Sequence, residues 1–224
     1  MTSPSSDTEN LQKILAQRSE LSRRKAGDAI KAGRVILNGK TAQLGDRFAT
    51  GDELLLDNKA LAARAMTTIM LNKPVGYECS RKPHGANPSV YELLPPEFQQ
   101  LNNVGRLDVE SSGLLLFTND GNLTQALTHP SHQKQKVYRV TLDKPLTPEH
   151  VKTITTGGVS LDDGPSVMKL KGSDKNWQVV LTEGRNRQIR RTFARLDYEV
   201  RSLHRTQTGE YHLGDLPPGK IETI

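Results

Sequence analysis

The segment GLLLFT, residues 113–118, constrains the fold more than any other stretch of this chain. Four consecutive large apolar side chains, with glycine before them and the turn residues Asn119-Asp120-Gly121 after, read as a strand buried in a core. The stretch leading into it is VGRLDVESSG, residues 104–113. It sets one acid, Asp108, two residues after Arg106 at the mouth of the apolar run. An acid in a turn is ordinary; an acid at the entrance to a buried strand asks for a reason.

The remaining elements follow from local pattern. LQKILAQ has apolar residues at helical spacing. In LSRRKAGDAIKAG, Ser22 suits a helix N-cap and Gly33 a left-handed C-terminal turn. RVILNGKTA reads as strand, Asn38-Gly39 turn, strand, and GDELLLD as a further strand. Two short helices and a small hairpin sheet therefore form a unit over residues 10–57. A disordered leader is expected over 1–9, where TSPSSDTE has nothing to bury, and a linker over 58–66, NKALAARAM. Beyond it, TTIMLNKPVGY, KVYRVTL, NWQVVL and EVRSLHRTQ read as strands. LTPEHVKTI reads as a helix capped by Thr147 with Pro148 in its first turn, and NRQIRRTFARL as a second helix. The expected class is α+β, with a mixed, mainly antiparallel sheet over residues 67–224.

Composition narrows the function. The chain has 224 residues, a net charge of +6 and a single cysteine, Cys79. One cysteine excludes an internal disulfide and a multi-cysteine metal site, and the six histidines show no HxxxH or HExxH spacing. No metal is expected, and no Rossmann or P-loop pattern marks a nucleotide cofactor site. No apolar run is long enough for a membrane span and the start of the chain lacks a signal peptide's apolar core, so a cytoplasmic protein with no membrane partner is expected. The positive charge is concentrated. Residues 11–40 hold eight Lys and Arg against two acids, and residues 183–205 hold seven Arg against three. One such cluster describes a solvated helix face. Two of them, far apart in sequence, point to a polyanion.

Within the first cluster Arg23, Arg24 and Lys25 fall in the first turn of a helix, where cations oppose the helix dipole. Together with the free N–H groups there they make a seat for phosphate, to which Arg34 adds. In the second cluster, a wheel at about 100° per residue puts Ile189, Phe193 and Leu196 on one face and Arg187 and Arg191 on the opposite one, facing phosphates. Arg190 falls on the boundary, where its planar fork suits a half-buried carboxylate. An Asp108 paired with an arginine would stay ionised and could act as a nucleophile. The same spacing equally describes a structural acid closing a turn or pairing with Arg106. Glu110 is the near neighbour that a two-carboxylate glycosidase would use. Tyr138 and Leu203 read as core residues, although a tyrosine ring can also floor a pocket for a base.

Taken together the strings say more. LSRRKAGDAIKAGRVILNGK resembles the small α-L type RNA-binding domain shared with a ribosomal small-subunit protein. LNKPVGY, VGRLDVESSGLLLFTNDG, LTHPSHQKQKVYRVTL, EGRNRQIRR and LHRTQTG occur in order, and the chain resembles the RsuA/RluB/RluF family of ribosomal-RNA pseudouridine synthases over roughly residues 10–220. The resemblance implies a catalytic domain over 67–224 that isomerises a uridine on a flipped-out base. It implies Asp108 as the catalytic aspartate, Arg190 as its partner, Tyr138 as the ring that stacks on the base, and Arg106 and Leu203 in the pocket. The implied partner is ribosomal RNA or a ribosomal assembly intermediate, met by a monomer. A non-catalytic RNA-binding assembly factor and an RNA glycosidase are the alternatives.

Overall fold

Residues 8–83 and 85–224 are described by a computed structural model. Backbone contacts divide the chain into a first unit running to Met66, together with Asn119–Gly121, and a second unit comprising Thr67–Thr118 and Asn122–Ile224.

The first unit opens with α1 (Leu11–Arg18) and α2 (Arg23–Lys31). Ser22 caps α2 through its side chain, which accepts from Lys25 N, and Gly33 leaves the helix at φ +68°. Strands β1 (Val35–Leu37), β2 (Lys40–Thr41), β3 (Leu54–Leu56) and β4 (Lys59–Ala60) form a sheet in the order β2-β1-β3-β4. Leu11, Leu15, Ala26, Ile30, Val35 and Leu54 fill the core between helices and sheet. Two expected boundaries shift. Glu9 pairs with Phe48, so strand pairing reaches into the expected leader, whose residues 1–7 lie outside the described part. The expected linker begins with β4, because Asp57 and Asn58 both take positive φ and turn the chain back onto β3.

The second unit is built on a nine-stranded sheet. Its strands are β5 (Thr68–Lys73), β6 (Asn102–Val104), β7 (Ser112–Thr118), β8 (Lys136–Leu142), β11 (Lys169–Ser173), β12 (Asn176–Leu181), β13 (Val200–Thr208), β14 (Tyr211–His212) and β15 (Ile221–Thr223). A separate hairpin joins β9 (Val159–Leu161) to β10 (Gly164–Ser166). The main path runs β11-β12-β8-β13-β7-β5-β15, with β6 on β7 and β14 on β13. Only the β13–β7 pair is parallel among these, so the sheet is mixed and mainly antiparallel, as expected. Helices α3 (Gly121–Thr128), α4 (Pro148–Lys152) and α5 (Gln188–Ala194) accompany it.

Strand β7 is the buried GLLLFT segment, and its alternation divides two cores. Leu115 and Phe117 join the large cluster with Tyr138, Ile189 and Phe193; Leu114 and Leu116 lie on the other face with Met70, Val104 and Leu127. Gly113 is required where β7 meets β13. It sits at φ +104°, and a Cβ there would lie 2.2 Å from the Arg205 carbonyl oxygen. That close approach brings β13 against the entrance of β7, beside Asp108. No described helix is long and apolar enough to cross a membrane.

Candidate active site

The loop between β6 and β7 carries Asp108, and its backbone is tied down almost carbonyl by carbonyl. Lys73, at the end of β5, is fully buried, and its Nζ donates to Asp108 O at 3.1 Å, Ser111 O at 2.8 Å and Pro74 O at 3.1 Å. Arg205 of β13, 4% exposed, donates from Nε to Leu114 O at 2.8 Å and from Nη1 to Arg106 O at 3.4 Å. Arg190 of α5 donates from Nη2 to Glu110 O at 3.0 Å, and Gly76 N donates to Val109 O at 2.8 Å. Each of three cations thus directs at least one hydrogen bond to the main chain of one short loop. Burying an ammonium is costly unless its protons are all accepted; Lys73 meets that condition with three carbonyls. Burial still pulls its pKa down, while the Cys79 and Asp108 charges raise it.

The loop's own side chain is left available. The Asp108 carboxylate is 31% exposed and opens into a cleft of about 680 Å³ lined also by Arg106, Tyr138, Arg187, Leu203 and Arg205. Tyr138 and Leu203 come from neighbouring strands: Tyr138 stands opposite Arg205, and Val140 opposite Leu203. Both are buried, at 8% and 6% exposure, and they supply the cleft's aromatic and aliphatic lining. Cys79 also lines the cleft; its thiol accepts from Leu107 N at 3.4 Å, and burial pushes its pKa up. Ser111 Oγ is buried beside the loop without a hydrogen-bond partner among the described residues.

The partnership expected between Asp108 and Arg190 is not the one observed. The guanidinium within ion-pair distance of Asp108 is Arg187, at 3.8 Å from Oδ2, and the same Nη1 lies 2.7 Å from Glu110 Oε2. Arg190 donates instead to backbone oxygens, Glu110 O and Val200 O, and lines a neighbouring cavity of about 690 Å³. The reason is local. Helix α5 starts at Gln188, and Arg187 takes a left-handed conformation, φ 47° and ψ 31°. A helical wheel therefore does not apply to residue 187, whose guanidinium meets both Asp108 and Glu110. Arg106 is exposed on the cleft wall and makes no ion pair with Asp108. The Arg187–Glu110 bond also holds the Glu110 carboxyl below the usual range and raises the arginine.

The expected phosphate-binding residues divide in the same way. Arg23, Arg24 and Lys25 are exposed and make no ion pair among the described residues. Arg34 is not free: Nε and Nη2 grip Asp57 at 2.8 and 2.5 Å. Arg191 is held by Asp163 at 2.7 Å, against the expectation that it faces phosphate. Sequence reasoning passes over Lys73 and Arg205. The signals are there: a lysine closing an apolar strand before Pro74, and an arginine in register with Leu203 on a buried strand face.

Residues 67–195 match the family described as RNA pseudouridylate synthase, and residues 9–54 match the S4 domain. The ribosomal large subunit pseudouridine synthase B of Yersinia pestis is 36% identical over 219 residues, covering 92% of this chain and 69% of that protein. The protein of the same name from Escherichia coli (strain K12) is 35% identical over 220 residues, covering 92% and 75%. A crystal structure of a pseudouridylate synthase superposes with a TM-score of 0.69 at 31% identity, covering 96% of this chain and 95% of that one.

Proposed function

The chain belongs to the RNA pseudouridylate synthase family and carries an S4 domain ahead of its catalytic domain; on that premise we propose that it isomerises one uridine of large-subunit ribosomal RNA, with Asp108 as the nucleophile. The ribosomal large subunit enters from the names of the relatives. The single observation that carries the role of Asp108 is the contrast within its loop: the main chain is locked by Lys73, Arg190 and Arg205, while the carboxylate remains open to the cleft. Fixed backbone and free side chain are what preorganised nucleophilic attack requires, because little reorganisation is left for the reaction itself.

The chemistry then proceeds as follows. A stacked uridine is out of reach, so it is flipped into the cleft at a cost of a few kcal/mol, offset by stacking on Tyr138 and contact with Leu203. Asp108 attacks the nucleoside, and the bond between ribose and ring nitrogen breaks. The uracil turns, the bond from ribose to ring carbon forms, the bond to Asp108 breaks and returns the free carboxylate, the carbon's proton is lost and the freed nitrogen gains one. Atoms and electrons balance with nothing consumed. Water has to be kept from the detached base, a purpose served by the apolar lining. Arg187 faces the carboxylate at 3.8 Å, and Arg190 and Lys73 hold it in place through the main chain. Arg23, Arg24 and Lys25 of the S4 domain grip RNA phosphates, and the protein works as a cytoplasmic monomer.

The test is to incubate the purified protein with an unmodified transcript of large-subunit ribosomal RNA and map pseudouridine. One converted site with no free uracil is expected. Release of free uracil would make the protein a glycosidase, and an unmodified transcript would remove the assignment.

A further inference from the structure

The lining of the cleft carries Arg106, Lys134, Lys136 and Arg185, and with them the acids Glu78, Glu110 and Glu183. An exposed carboxylate in a cleft that receives RNA repels the polyanion unless a cation engages it. Glu110 is such a carboxylate. Its side chain is 59% exposed, and it lines both the cleft and the neighbouring cavity.

Three observations define its situation. Its carboxylate takes Arg187 Nη1 at 2.7 Å, the distance of a charge-assisted hydrogen bond. The same nitrogen stands 3.8 Å from Asp108 Oδ2, too far for one. Its main chain is pinned by Arg190, so the position of residue 110 does not depend on what its carboxylate does. Arg187 is thus presented at the cleft mouth in a left-handed backbone conformation, uncommon for a residue with a side chain, and is held there by an exposed acid. The second cavity carries Asp143, Asp197 and Glu199 together with Arg190 and Arg201, and the pair lines both cavities.

We propose that Glu110 occupies the seat of an RNA backbone phosphate in the RNA-free protein, holding Arg187 ready beside Asp108 and surrendering it to the phosphodiester next to the target nucleotide. Carboxylate and phosphate present the same kind of acceptor to a guanidinium, and an exposed ion pair is weak enough to be exchanged. The inference rests on the reading that the cleft receives RNA, and it adds a phosphate seat and the residue that guards it.

The measurement is a double-mutant cycle on RNA affinity using Glu110→Gln, Arg187→Ala and the double variant. The probe is a large-subunit ribosomal RNA transcript pre-incubated with wild-type protein, so that any turnover is over before binding is read. Both side chains are exposed and the Arg190 bond to residue 110 is a backbone one, so the variants keep the fold. Glu110→Gln is expected to tighten binding about two- to fivefold, the range of an exposed ion pair no longer in competition. With Arg187→Ala already present, that gain should vanish. No gain from Glu110→Gln alone would overturn the proposal. So would an equal gain in both backgrounds, which would mean simple charge repulsion. Because affinity alone is read, the outcome stands apart from whether any uridine is converted.

Discussion

Two stretches of this chain have nearly the same composition and opposite fates. In the helix that begins at Arg23, three consecutive cations reach solvent without an acid to meet them among the described residues. Between Arg185 and Arg195, every arginine is committed. Arg185 binds Asp163 and Glu183, Arg187 binds Glu110, Arg190 binds two carbonyls, Arg191 binds Asp163 and Arg195 binds Asp162. Counting charges cannot separate the two stretches. What separates them is the presence of partners: the β9–β10 turn sets Asp162 and Asp163 against α5, and no described acid faces Arg23 in that way. The first stretch is the one proposed to meet RNA. The second is scaffolding made of arginine, with Arg187 as its proposed exchangeable member.

That difference can be broken by substitution, and the largest effect should come from the most deeply built-in cation. Lys73→Met leaves the carbonyls of Pro74, Asp108 and Ser111 without their donor; the expected loss is about 2–4 kcal/mol of stability, read from the urea midpoint, with turnover falling further than RNA affinity. An unchanged midpoint would mean that Lys73 does not hold the loop. Next comes Arg185→Ala. Its guanidinium donates to the carbonyls of Asp163, Gly164 and Pro165, so about 1–3 kcal/mol should be lost with the salt dependence of RNA binding intact. The smallest effect on stability belongs to the free cluster. Arg23→Ala with Arg24→Ala should move the midpoint by no more than about 0.5 kcal/mol. The log–log salt slope should nevertheless become shallower by about 0.7–0.9 for each phosphate that is no longer neutralised. Arg34→Ala and Arg191→Ala, whose side chains are already paired, should leave that slope where it was; a shallower slope in either would dissolve the distinction between the two stretches.

Much of this is legible in the sequence, for physical reasons that also mark where reading stops. The strand read at 113–118, the caps Ser22 and Thr147 and the Asn38-Gly39 turn are decided by neighbours in sequence, and they are found, the strand one residue longer at its start. Asp108, Tyr138 and Leu203 do line one cleft. The arginine nearest Asp108 escapes the reading because helical geometry does not extend one residue further, onto Arg187, whose φ is positive. Lys73 is unreadable by any periodicity, since two of its three acceptors lie 35 and 38 residues away. The engagement of Arg191 likewise depends on Asp163, 28 residues off, in a hairpin that the sequence reading does not contain.

The central claim is that one carboxylate performs the reaction while cations do the holding. Asp108→Asn tests it most directly, with pseudouridine formation and RNA affinity measured on the same preparation and the same transcript. The substitution keeps the loop's backbone bonds to Lys73, Arg190 and Arg205, so conversion should disappear while affinity stays within about twofold of wild type. Residual conversion at a substantial fraction of the wild-type rate would contradict the claim and move the chemistry to another residue.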